Sequence, residues 1–165
     1  MPIPTWTTGQ VLSASDVNTW FVPRFAYKTA QTSRASTTTL VADPHLIVPV
    51  DANAHYVLTG LIDYEADVTG DVKFQFTLPA GASMNFAWVG WQASDTFSNN
   101  GTNTTATVVT LGGGGAGQGR GNTIAGTVTT AGTAGNLGVN WAQNVSSGTA
   151  TIWHAESYLM LVRVG

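Results

Sequence analysis

The sequence predicts an all-β chain, a jelly-roll-like sandwich preceded by a short helical arm. Three observations carry that reading. Threonine occurs 25 times in 165 residues and lysine only twice, a balance that favours strands over long surface helices. From Tyr27 onward the apolar residues recur with period two. Turn residues break this pattern about every 8–12 residues, the spacing of a sandwich, jelly roll or barrel built from eight to ten short strands. Charged residues make up 9% of the chain and apolar residues 43%, so the chain can fill a core while leaving much of its surface uncharged. Its length suits one domain. The organisation expected is an attachment arm over 1–26 and a β domain over 27–165.

The arm departs from the period-two pattern. Gly9-Gln10-Val11-Leu12 leads into Ser13-Ala14-Ser15-Asp16-Val17-Asn18-Thr19-Trp20-Phe21-Val22, and Pro23 follows. Ser13 or Ser15 can serve as N-cap, with Asp16 in the first turn, where a negative charge meets the helix dipole. Val17, Trp20 and Phe21 fall at i, i+3 and i+4 on one face. Pro23 ends the helix after about two turns, too few to persist without a surface to dock on.

Beyond the arm, Thr37 to Val41 and His45 to Val50 read as short strands separated by Asp43-Pro44. Asp51-Ala52-Asn53 is turn chemistry. Ala54 to Ala66 follows as a long strand with Tyr56, Leu58, Gly60, Ile62 and Tyr64 on one face and Thr59, Asp63 and Glu65 on the other. Val72 to Leu78 and Met84 to Val89 alternate in the same way. From Thr96 to Ala155 one residue in sixty, Arg120, is charged. That stretch still holds strand-like pieces at Thr105 to Leu111, Asn122 to Thr130 and Asn136 to Asn144. The Gly112 to Gly121 run between the first two reads as a flexible loop or tight turn with Arg120 at its tip. A final strand from about Thr149 to Val164 is apolar enough to be buried on both faces. The expected core is Leu58, Ile62, Phe74, Phe76, Phe86, Trp88, Val139, Leu159 and Leu161.

Several function classes lack their residues. The chain has no cysteine, and its net charge of −3 comes with no basic run, which leaves no footprint for nucleic acid. No apolar stretch approaches the length of a membrane-spanning helix. The opening residues carry neither the basic nor the apolar region of a secretory leader, so a protein working outside a cell would need another route, for example lysis inside an assembled particle. The glycine run lacks the Lys-Ser/Thr of a phosphate loop, and no helix follows it, so no nucleotide cofactor is expected. His45, His55 and His154 are too far apart in sequence for a local metal motif. Asp63 and Glu65 stand about 7 Å apart on one strand face, a separation some glycosidases use. Acids on the wet face of an amphipathic strand are far commoner. Three Asn-x-Ser/Thr triplets, at Asn100, Asn103 and Asn144, are expected by chance in a chain of this composition. Six tryptophans suit either a carbohydrate platform or an oligomer interface, and the scarcity of charge favours the interface.

The segment Trp6-Thr7-Thr8-Gly9-Gln10-Val11-Leu12-Ser13-Ala14-Ser15-Asp16-Val17-Asn18 resembles the Gly-x-x-Leu-Thr-Ala-x-Asp-Leu-Asn opening of tailed-phage virion proteins, notably minor tail and fibre-like proteins of actinobacteriophages. Ser13 stands for Thr and Val17 for Leu. The body, from Thr32-Ser33-Arg34 through Asp43-Pro44, a strand ending near Asp63-Tyr64, Gly70-Asp71-Val72-Lys73-Phe74 and the Pro79-Ala80-Gly81-Ala82 turn, also resembles domains of such proteins, and the Gly148-Thr149-Ala150-Thr151 approach to a final apolar strand is similar to trimeric jelly-roll heads of the C1q and tumour-necrosis-factor type. The resemblance implies a non-enzymatic structural protein of the virion, tail- or fibre-associated, exposing a β domain for host-surface attachment, with a host glycan as a candidate ligand. A capsid decoration protein is the alternative within the particle; a carbohydrate-binding module or glycoside hydrolase is the alternative outside it. The resemblance assigns no catalytic, cofactor or metal residues. It further implies a homotrimer, with Trp153, Tyr158 and Met160 at the interface between copies. Trp6, Val17, Trp20 and Phe21 are the expected contacts of the arm with other structural proteins.

Overall fold

The computed structural model describes residues 4–93 and 96–165, and for residues 98–102 the backbone only. Helix α1 spans Ala14–Trp20. Among the described residues twelve strands follow. They are β1 Arg24–Tyr27, β2 Thr32–Arg34, β3 Val41–Val50, β4 His55–Glu65, β5 Val72–Thr77, β6 Ser83–Trp91, β7 Phe97–Thr104, β8 Val109–Leu111, β9 Gly119–Thr129, β10 Gly135–Gln143, β11 Thr151–Trp153 and β12 Tyr158–Arg163. All pairings are antiparallel. The larger sheet runs β1-β12-β4-β9-β6-β7, with β11 pairing β4 and β2 pairing β11; the smaller runs β3-β10-β5-β8. The chain passes between the sheets at β2 to β3, β3 to β4, β4 to β5, β5 to β6, β7 to β8, β8 to β9, β9 to β10 and β10 to β11. Strands adjacent in sequence therefore often face each other across the core. This is the expected jelly-roll-like sandwich with one short helix near its N-terminus.

The core lies between the sheets. Every residue of the expected core is at most 2% exposed. Phe74, Phe76 and Phe86 pack edge-on or tilted with centroids 4.9 to 6.3 Å apart. Trp141 and Trp153 stack with centroids 5.1 Å apart, and the Arg34 guanidinium lies 4.0 Å over the Trp141 ring. Such aromatic pairs add about 0.5–1.5 kcal/mol each beyond the area they bury.

The structure departs from the sequence reading where tertiary contacts override local signals. Residues 24–26, assigned to the arm, form most of β1, so the arm ends at Pro23. Asp43-Pro44 does not separate two strands: β3 runs through it, and residues 37–40 are loop. An edge strand tolerates proline, and the pairing with β10 shifts register at this point. The final strand is two, β11 and β12. Between them Glu156 adopts a φ of 75°, and Ser157 Oγ accepts the Asp63 N–H at 3.0 Å. Strand β12 alternates buried and half-buried residues, so it is buried on one face only.

The glycine run is packed rather than flexible at its start. A Cβ on Gly112 would stand 1.9 Å from the Gln92 carbonyl oxygen, and one on Gly113 would stand 2.2 Å from that of Asp67. No side chain fits there. Tyr64 donates its hydroxyl hydrogen to Gly112 O at 2.7 Å, and Asp71 Oδ1 accepts the Gly113 N–H at 2.9 Å. Burial holds the Tyr64 phenol well above its ordinary pKa. Arg120 is not at a loop tip: it lies in β9, its guanidinium 4.2 Å over the Trp91 ring and bonded to Gly112 O at 3.0 Å.

Candidate functional site

Two surfaces stand out, the arm and the outer face of the larger sheet. Three residues of the arm's opening motif, Gly9, Ser13 and Asp16, have a structural duty. Gly9 takes a φ of 85°, a left-handed conformation that glycine adopts without strain, and closes a turn in which Gln10 N donates to Thr7 O at 3.0 Å. Ser13 is the N-cap, and Asp16 completes a capping box with it: Ser13 Oγ accepts the Asp16 N–H at 3.1 Å, and Asp16 Oδ2 accepts the Ser13 N–H at 3.0 Å. The Ser13 hydroxyl also donates to Asp16 Oδ2 at 2.6 Å, and this bond, with that from the Ser13 N–H, holds the Asp16 carboxyl below its ordinary pKa.

The helix has no buried residue. Its expected apolar face splits three ways. Phe21 packs on Trp6 with centroids 6.3 Å apart. Trp20 turns to the β domain, where the Arg163 guanidinium lies 4.5 Å over its ring. Val17 stays exposed, as do Val11, Leu12, Phe21 and Val22, with Val11 at 89%. The latch under Trp20 is a charge network. Asp51 accepts from Arg163 Nη1 at 2.9 Å and also pairs with Arg24. Arg24 in turn lies 5.4 Å over the Tyr56 ring. The hydrogen bond from Arg24 keeps the Asp51 carboxyl below its ordinary pKa; partial burial opposes this, and the charges of Arg24 and Arg163 reinforce it.

The second surface follows from strand register. Outward residues of five adjacent strands line up in rows. One row is Phe25, Met160, Thr59, Ala125 and Ala87; the next is Tyr27, Tyr158, Leu61, Thr123 and Val89; a third is Val162, Val57, Thr127 and Asn85. None of these residues is charged. Phe25 and Tyr27 are more than half exposed, and Phe25 packs on Tyr158 with centroids 6.0 Å apart. Five strands and three rows cover roughly 500 Å² in outline.

Tyr158 and Met160 therefore sit, half-buried, on a face that a second chain can reach. Trp153 does not. It is fully buried against Trp141 and Phe74 and cannot present its ring to a partner. Trp88 and Trp141 are buried too, so half of the tryptophans that suggested an interface serve the core instead. Phe25 and Tyr27 share this face without a local signal for it, because Arg24–Tyr27 becomes a strand only by pairing with β12.

No protein-family model and no curated protein matches the chain. Among solved structures it is similar to the VP2 subviral particle of infectious bursal disease virus, at 12% identity and a TM-score of 0.20, covering 98% of this chain and 44% of that one. Similar matches are the Gx strain of infectious bursal disease virus, at 12% identity and a TM-score of 0.23 with 86% and 41% covered, and the Gt strain, at 17% and 0.21 with 98% and 45% covered. The chain spans less than half the length of these chains, and TM-scores this low transfer no function.

The remaining candidates are accounted for locally. Glu65 Oε1 accepts the Gly117 N–H at 2.6 Å, and its other oxygen faces His154 Nε2 at 4.0 Å, so this carboxylate ties the glycine loop to the sheet. His55 bonds Thr129 at 3.0 Å. Among the described residues no three His, Asp or Glu side chains converge on one point, and no helix is long and apolar enough to cross a membrane. A shallow depression lined by Asn85, Ala87, Ala125 and Thr127 measures about 230 Å³, below the usual range for a small-molecule pocket.

Proposed function

We propose that the chain is a non-enzymatic structural protein of a tailed-phage virion, in which the arm attaches the protein to the particle and the β domain faces outward. The observation that carries this reading is the arm itself. A helix capped at its N-terminus, with no buried residue, leaves Val11, Leu12, Val17, Phe21 and Val22 exposed on a tether. A helix this short gains stability from a surface, and its own domain supplies little of one. The opening motif, whose glycine, serine and aspartate each shape the arm, supports the same role. A tail or fibre position comes first and a capsid position second. Labelled protein on purified particles tests this: label at the tail tip or along the fibres supports the first, label on the head the second, and no label on particles refutes both.

The β domain assembles as a homotrimer in this reading, with Tyr158 and Met160 on the shared surface and a host-surface glycan as the ligand of the exposed end. The uncharged outer face supports self-association, because a face without charge does not repel its own copy and the face outlines over half of what one partner gives to a standard interface. Placing a charge there by Met160→Glu is expected to convert a species near three times the chain mass into a monomer in light scattering, with the melting temperature nearly unchanged. A wild-type chain that stays monomeric at micromolar concentration refutes the trimer.

A further inference from the structure

Sandwich cores exclude lysine more firmly than almost any other residue, yet Lys28 is fully buried, and so is Asp43 beside it. Lys28 follows β1 of the larger sheet directly and Asp43 lies in β3 of the smaller, so the pair bridges the two layers. Lys28 Nζ stands 2.7 Å from Asp43 Oδ2 and 2.9 Å from Thr32 Oγ1. The Thr32 hydroxyl is itself 3.2 Å from Asp43 Oδ2, and Trp141 Nε1 donates to that same oxygen at 3.1 Å. The other oxygen, Oδ1, accepts the backbone N–H groups of His45 at 2.9 Å and Leu46 at 3.2 Å.

An ion pair alone is a poor account of this site. Two charges taken out of water gain little over apolar packing. An ammonium also offers three N–H groups and meets two acceptors here, whereas a neutral amine offers two. The other contacts have the form of a reaction centre. One oxygen sits in a pair of backbone donors, and a hydroxyl lies within reach of both the amine and the second oxygen.

We propose that Lys28 and Asp43 condense, without any enzyme, to an amide bond that joins the two sheets. The resting pair is ionic. In this dry site a proton passes from Nζ to Oδ2, directly or through Thr32 Oγ1, and leaves a neutral amine beside a neutral acid. A turn about the last bonds of the Lys28 side chain brings the nitrogen lone pair onto Asp43 Cγ. The Nζ–Cγ bond forms as the Cγ–Oδ1 double bond opens, and the charge that develops on Oδ1 meets the His45 and Leu46 N–H groups. A second proton moves from Nζ through Thr32 to Oδ2. The Cγ–Oδ2 bond breaks, the Oδ1 carbonyl re-forms, and one water leaves. Both of its hydrogens come from Nζ and its oxygen from Asp43. Nothing is oxidised or reduced. The fold holds the two groups in contact, which is the chief requirement of a slow unimolecular condensation.

The test is the mass of the purified full-length chain, stored folded and then unfolded for measurement. The expected wild-type mass is that of the sequence, with or without Met1, less one water. The Lys28→Met variant is expected to show its full sequence mass. Tryptic digestion locates the bond: no cleavage after Lys28, and a branched peptide joining residues 25–34 to residues 35–73. A wild-type chain of full sequence mass that trypsin cuts after Lys28 overturns the proposal, as does a water loss mapped to any other pair of residues. The wild-type result stands whether or not the variant folds.

Discussion

The two ends of the chain's tryptophan inventory behave in opposite ways. In the β domain Trp88, Trp141 and Trp153 are at most 2% exposed, and Trp141 stacks on Trp153 beneath the Arg34 guanidinium. In the arm Trp6 and Trp20 are only half-buried, and their contacts are one ring, Phe21, and one cation, Arg163. The same residue type thus fills the core in one region and stays half-buried in the other. In the proposed reading the β domain folds without the arm, whereas a helix this short, with no buried residue, calls for a surface.

Truncation separates the two regions most sharply. Trp141→Ala and Trp153→Ala are each expected to cost about 3–5 kcal/mol in urea unfolding, because each leaves a cavity in a close-packed core. Trp20→Ala removes a cation–π contact at a partly exposed site and is expected to cost about 0.5–1 kcal/mol. Equal losses at the two sites would erase the distinction.

Acid acts where the regions meet. Asp51 holds both Arg24 of β1 and Arg163 of the Trp20 latch, and its folded pKa lies below its ordinary value. A carboxyl of this kind stabilises the fold above its unfolded pKa of about 3.9, and the contribution is lost as pH falls through the lower folded value. Thermal melts of wild type and Asp51→Asn should therefore differ near neutrality and converge below about pH 4. A gap that persists at pH 2 would contradict the assignment.

The most local effect belongs to the cap. Ser13→Ala removes one side of the capping box and is expected to cost the helix about 1 kcal/mol, read as faster amide exchange in residues 14–20 with the β domain's melting temperature unmoved. Ser13→Thr should restore protection, since either hydroxyl can cap.

The fold was legible because its alternation is strong: Leu58 and Ile62 on β4, and Phe74 and Phe76 on β5, announce their buried face by period alone. The helix was legible from its cap and its proline stop. What escaped has a common cause, contacts distant in sequence. Strand β1 is four residues long and exists because β12 pairs with it. Trp153 reads as an interface residue until β11 places it against Trp141, twelve residues away in the chain but adjacent across the core. The Gly112-Gly113 crossing reads as flexible until the carbonyls of Gln92 and Asp67 appear beside it. Lys28 gave no local sign of burial, because its partner Asp43 lies in the opposite sheet.

Deleting residues 1–22 tests the central claim, that attachment resides in the arm and stability in the β domain. The truncated chain keeps Arg24, Asp51 and Arg163 and loses only Trp20 from that network. It is expected to stay folded, with a melting temperature within about 4 °C of wild type, a change of roughly 1 kcal/mol or less for a domain of this size, and to be absent from particles assembled in its presence. A truncated chain that unfolds or aggregates, or one that joins particles as well as the full chain does, would contradict the account.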